Sequence, residues 1–84
     1  MDERHVLPDR IEMRDMEVSE HAIRSAHAIY MRAFTEDAMM VGADVIEGGA
    51  LSDWIARMFE NVFVAFIDVH NAKPGCFAAR VRRA

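Results

Sequence analysis

Four histidines, one cysteine and three serines are the side chains of this chain that could ligate a metal or attack a substrate. What they can do depends on spacing. His21 and His27 stand six residues apart, about 120° out of step around a helix. No two histidines have the i,i+4 spacing of metal-binding helices. Glu17 and His21 have it, but only if a helix runs through Ser19. Asp68 and His70 are two apart and could share a ligand or acid–base role only on a strand. His5 falls in an expected flexible tail. His27, placed between Ile23 and Tyr30 on the apolar side of a predicted helix, reads as a core histidine bonded to a neighbour, with a pH-sensitive interface as its other use.

Nucleophilic catalysis lacks parts. Cys76 follows Pro74-Gly75 with Arg80 nearby, yet no motif fixes a histidine beside it. Ser19, Ser25 and Ser52 suit helix caps and helix surface. The stretch GADVIEGG, residues 42–49, lacks the lysine and the strand–loop–helix setting of a phosphate loop. The expectation is a non-enzymatic protein with no cofactor and no metal site; an enzyme using Asp68 and His70 ranks last.

Charge is unevenly spread around a net −4. From Glu36 to Asp68 there are seven acids against Arg57 alone, and the last twelve residues carry Lys73, Arg80, Arg82 and Arg83 with no acid. Arg80, Arg82 and Arg83 could contact phosphate, but no aromatic pattern is interleaved with them and the footprint is thin. The acidic middle could instead imitate nucleic acid, with too few acids to be persuasive.

These residues sit in a chain of 84, read as one small domain over 1–84 with loose ends at 1–9 and 82–84. At this size the gain from burial and the cost of ordering nearly cancel. With 52% hydrophobic residues, the core is expected to be completed by a second copy or another protein. One cysteine rules out an intrachain disulfide and suits a reducing compartment. The charged start MDERHVLPDR has no apolar signal segment. The longest apolar run, Val62 to Ile67, is far short of the ~20 residues of a membrane span. A cytoplasmic protein without membrane contact is expected.

Ser19, Thr35 and Ser52 each precede acids and then apolar residues, as helix N-caps do. Gly48-Gly49 and Lys73-Pro74-Gly75 are the breaks. Between them, Asp53, Arg57, Glu60, Asn61, Asp68 and Asn71 gather on one side of a 3.6-residue helix. Trp54, Ile55, Met58, Phe59, Val62, Phe63, Phe66, Ile67 and Val69 cover more than half the circumference. Residues 20–34 and 36–47 are read as two further helices, with Ile23, Tyr30, Phe34, Val41 and Val45 on one face. The fold expected is mostly α: a helical hairpin broken at Gly48-Gly49 and completed as a dimeric helical bundle. The alternative is α+β, with short strands near 10–18, 62–69 and 76–82, in which RIEMRDMEV pairs with CFAARVRRA.

The function expected is a small acidic interaction or regulatory module of adaptor or inhibitor type. Its interface is placed on Trp54, Ile55, Met58, Phe59, Val62, Phe63 and Phe66. Met39 and Ile46 form a second apolar patch, and the seven methionines suit an adaptable surface. A homodimer leads among partners, then a heterologous protein; nucleic acid, bound by the basic tail or imitated by the acidic middle, is the alternative.

Overall fold

A computed structural model describes residues 11–71 and 77–83. The chain is mainly an antiparallel sheet, not a helical bundle. Its elements are β1 (Ile11–Arg14), α1 (Glu20–Ser25), β2 (Ile29–Phe34), β3 (Met40–Ile46), a 3₁₀ turn (Gly48–Ala50), α2 (Leu51–Phe59), β4 (Phe66–Asn71) and β5 (Phe77–Arg83). The spatial order is β1-β5-β4-β2-β3, and every neighbouring pair is antiparallel.

The helical reading of 20–47 fails at residue 29. Ile29, Met31 and Ala33 are buried, and Tyr30 and Arg32 between them are exposed. That is a period of two, the mark of a strand with one covered face. Tyr30 and Phe34 fitted a helical stripe only by chance. Thr35 caps no helix. It closes the β2–β3 hairpin: its N–H donates to the Met39 carbonyl at 3.0 Å, and its carbonyl and hydroxyl accept from the Ala38 and Met39 N–H groups. Ala38 takes a left-handed backbone (φ 61°) to make the turn.

The long helix through 51–71 is also overturned, because α2 stops at Phe59. Asn61 ends it locally: its side-chain oxygen accepts from the Phe63 N–H at 3.0 Å, and its carbonyl accepts from the Val64 N–H at 3.0 Å. The wide apolar face is thereby shared between a helix and a strand that pack in one core. The strands near 10–18, 62–69 and 76–82 overlap β1, β4 and β5, but that alternative lacked β2 and β3. The Lys73-Pro74-Gly75 break, Cys76 and His5 lie outside the described residues.

Both helices pack on one face of the sheet. Ile23 of α1 and Leu51, Ile55 and Phe59 of α2 bury against Ile29, Met31, Ile67, Val69, Ala79 and Val81. Fully burying each large side chain contributes about 1.5–3 kcal/mol. The Ser19 hydroxyl caps α1 by accepting from the Ala22 N–H at 3.1 Å, as its sequence context suggests. Ser52, by contrast, lies inside α2, buried, with its Oγ accepting from Arg24 Nη1 at 2.9 Å. No helix among the described residues is long and apolar enough to cross a membrane.

Candidate functional site

Among the described residues, those with catalytic or metal-binding chemistry do not converge. His21 and His27 are exposed, His27 in the turn between α1 and β2 rather than in the core. His70 is half-buried on β4, edge-on to the Phe77 ring at 5.7 Å. Asp68 shares its face of β4 but is tied to Arg80, through Nε to Oδ1 at 2.7 Å and Nη2 to Oδ2 at 3.1 Å. This hydrogen bond holds the Arg80 guanidinium above its ordinary pKa, against a lowering by burial and with help from the Asp68 and Asp15 charges. The raised value keeps the Arg80 guanidinium charged up to and through the ordinary arginine range. No cluster of three metal-ligating side chains exists among the described residues.

The three arginines of the basic tail each have a partner inside the chain. They belong to β5, where alternation sends Arg80 and Arg82 to the open face of the sheet and Arg83 to the helix side. Arg80 and Arg82 lie over the Phe66 ring at 4.4 and 5.0 Å, and Phe34 stacks on the same ring at 5.1 Å. Arg83 reaches back to the end of α2. Its guanidinium donates to the carbonyls of Phe59 (2.8 Å), Val64 (3.1 Å) and Asn61 (3.3 Å), and covers the Phe59 ring. Carbonyls at a helix C-terminus have no helical partner, and a cation there meets both the vacancy and the dipole.

The apolar residues assigned to an interface divide into three groups. Ile55, Phe59, Phe66 and Ile46 are buried in the chain's own packing. Trp54 and Met58 are half-buried against that core, Trp54 under the Arg57 guanidinium. Val62, Phe63 and Met39 remain outside, at 80%, 74% and 66% exposure. Twenty-three residues separate Met39 from Val62, yet the fold brings them together. Pairing of Phe34 with both Met40 and Phe66 sets the β2–β3 turn beside the loop between α2 and β4. Between these two loops lies a groove of about 500 Å³, lined by Thr35, Glu36, Asp37, Met39, Val41, Asn61, Val62 and Phe63. That volume falls in the usual range of ligand sites, ~300–1,000 Å³. Val41, Glu36 and Asp37 were not singled out as site residues. Only the β2–β3 register and the bulge near Phe34, which set Val41 against the groove, identify them.

The groove continues into a sheet edge that no strand among the described residues pairs. β3 is the outermost strand, and all its residues but Gly42 and Ile46 are exposed. Ladder parity, set by the Thr35-to-Met39 and Ala65-to-Phe34 backbone bonds, turns the N–H and C=O of Ala43 and Val45 away from β2. The Val45 N–H is held by Asp44 Oδ1 at 2.8 Å.

Fold and surface together define a small antiparallel α+β protein with a one-sided helical layer and an apolar groove at one sheet edge. The family model described as protein of unknown function (DUF1203) matches residues 6–83, and the chain belongs to that family. No curated protein and no solved structure matches it.

Proposed function

We propose that this chain is a protein-interaction module whose recognition surface is the groove between the β2–β3 turn and the α2–β4 loop. The observation that carries the reading is the exposure of Phe63 and Val62 beside Met39 and Val41. Isolated exposed apolar side chains are ordinary, whereas a contiguous patch with a polar rim marks a binding surface. Methionine and phenylalanine are also suited to such surfaces, the first because it adapts and the second because it anchors. Glu36, Asp37, Thr35 and Asn61 supply the rim. Nucleic-acid association through Arg80, Arg82 and Arg83 draws less support, since each of these guanidinium groups already has an intramolecular role.

The test is photo-crosslinking in the native host, with p-benzoylphenylalanine placed at Phe63 and, as a control, at Asp53 on the exposed side of α2. A discrete adduct from position 63 that is absent from position 53 is expected. Equal labelling from both positions, or none from 63, would reject this surface as the module's contact.

A further inference from the structure

Building on that reading, we infer that the groove and the β3 edge receive an extended, basic segment of a partner protein, which adds to the sheet as a sixth strand beside β3. Three observations combine. First, Ala43 and Val45 turn their main-chain groups outward along an exposed outer strand, the Val45 N–H bonded only to the neighbouring Asp44 side chain, and such an edge is the template that added strands recognise. Second, the groove opens at the start of this strand, with Met39 and Val41 as shared wall, so an incoming strand can lower an apolar side chain onto Phe63. Main-chain pairing then supplies affinity and the groove supplies selectivity.

Charge selects the occupant. Glu36, Asp37, Asp44 and Glu47 flank or occupy β3, and no Lys or Arg lies between Arg32 and Arg57 in the chain. Glu36, Asp37 and Glu47 make no ion pair among the described residues. Two copies pairing edge to edge through an antiparallel β3 would bring the Glu36-Asp37 turn of one against Glu47 of the other, and the two Asp44 side chains near the twofold axis. Like charges facing across a ladder oppose pairing. A strand with lysines or arginines beside an apolar anchor meets all four carboxylates favourably. Its main-chain carbonyl replaces Asp44 Oδ1 at the Val45 N–H, which releases that carboxylate to a cation.

The test uses fluorescein-labelled hexapeptides that alternate lysine with valine and phenylalanine, their counterparts with glutamate for lysine, and counterparts with alanine for phenylalanine. The basic peptide is expected to bind at least tenfold more tightly than either control. Chemical-shift changes should centre on Met40–Ile46 and Phe63. Neutralising the rim with the double change Glu36→Gln, Asp37→Asn should weaken binding about fivefold and flatten its salt dependence. Equal binding of acidic and basic peptides, or shifts centred on the other sheet edge, overturns the inference. So does a chain that dimerises through β3 at micromolar concentration and is not dissociated by the basic peptide. Because every variant changes an exposed side chain, folding is preserved and can be checked by circular dichroism. Failure of the peptide series alongside a position-63 adduct removes this occupant and leaves the interaction surface standing.

Discussion

Substituting alanine at each of the two adjacent glycines, Gly48 and Gly49, should have opposite effects. A Cβ added at Gly48 lands well inside contact of the Ile23 carbonyl oxygen, and 2.9 Å from both the Ala26 oxygen and the Arg24 carbonyl carbon. All three atoms are backbone at the end of α1, so no side chain can swing aside. The 3₁₀ turn must retreat, which strains the bond from the Gly48 N–H to the Ala26 carbonyl, 2.9 Å long. Overpacking of this kind costs about 1–3 kcal/mol, and weakening the bond adds about 1 kcal/mol. Relief of glycine's chain entropy returns about 0.4–1 kcal/mol. The net for Gly48→Ala is a loss of about 1–3.5 kcal/mol, which lowers the melting temperature of a domain this size by about 4–28 °C. At Gly49 nothing lies within 4 Å of the added carbon, and neither glycine uses left-handed backbone. Gly49→Ala should therefore keep only the entropic gain and melt above the parent by roughly 2–8 °C. Thermal melts followed by far-ultraviolet circular dichroism, with urea midpoints as a second measure, decide the matter. Melting points for the two variants within about 3 °C of each other would mean that α1 and the turn do not approach as described, and the steric reasoning fails.

Arg83→Ala removes three bonds to carbonyls at the end of α2 and should destabilise by about 1–3 kcal/mol, with faster amide exchange confined largely to residues 60–64. If stability and exchange both stay at parental values, Arg83 is not the cap described. Asp68→Asn breaks the paired bonds to Arg80 at a largely covered site, and a loss of about 1–2 kcal/mol is expected by urea unfolding. A double-mutant cycle on Asp68 and Arg80 that returns no coupling would show that the pair is merely adjacent.

What could be read from the residues was local. Ser19 followed by Glu20 does begin a helix, because a cap acts within one turn. The alternation Ala79, Val81 against Arg80, Arg82 marks β5, because one covered sheet face imposes it, but Phe77 falls out of it where the β4–β5 register shifts and sets its ring against His70 on the open face. The same alternation in Ile29 to Ala33 was there to be read, but Ile23, Ala26, Ala33 and Phe34 also fit a helical period in a chain this rich in apolar residues. The break at Phe59 could not be found in 51–71 alone. Part of what ends α2 is Arg83, twenty-four residues beyond Phe59. The groove shares this limit. Val62 and Phe63 looked like one side of a helix and Met39 like part of another, and only the strand register unites them. Four of the nine interface residues proposed from sequence, Ile46, Ile55, Phe59 and Phe66, are buried because the same apolar side chains serve packing first.

The pairing of β1 with β5 sets Ile11 opposite Arg83, and among the described residues β5 is the only strand neighbour β1 has. The earliest described strand to leave a ribosome is thus among the last to find its place. At ~5–20 residues per second of synthesis, β1 waits roughly 4–14 s before its partner exists. During that interval the hairpin of β2 and β3 can form from contiguous chain, and β4 can join it once α2 has been made. β1 cannot, since its contacts span nearly the whole described length. Folding of this domain therefore ends with a single long loop closing, the kind of step that topology makes slow. A premature stop a few codons before Arg80 would leave β1 without its partner strand.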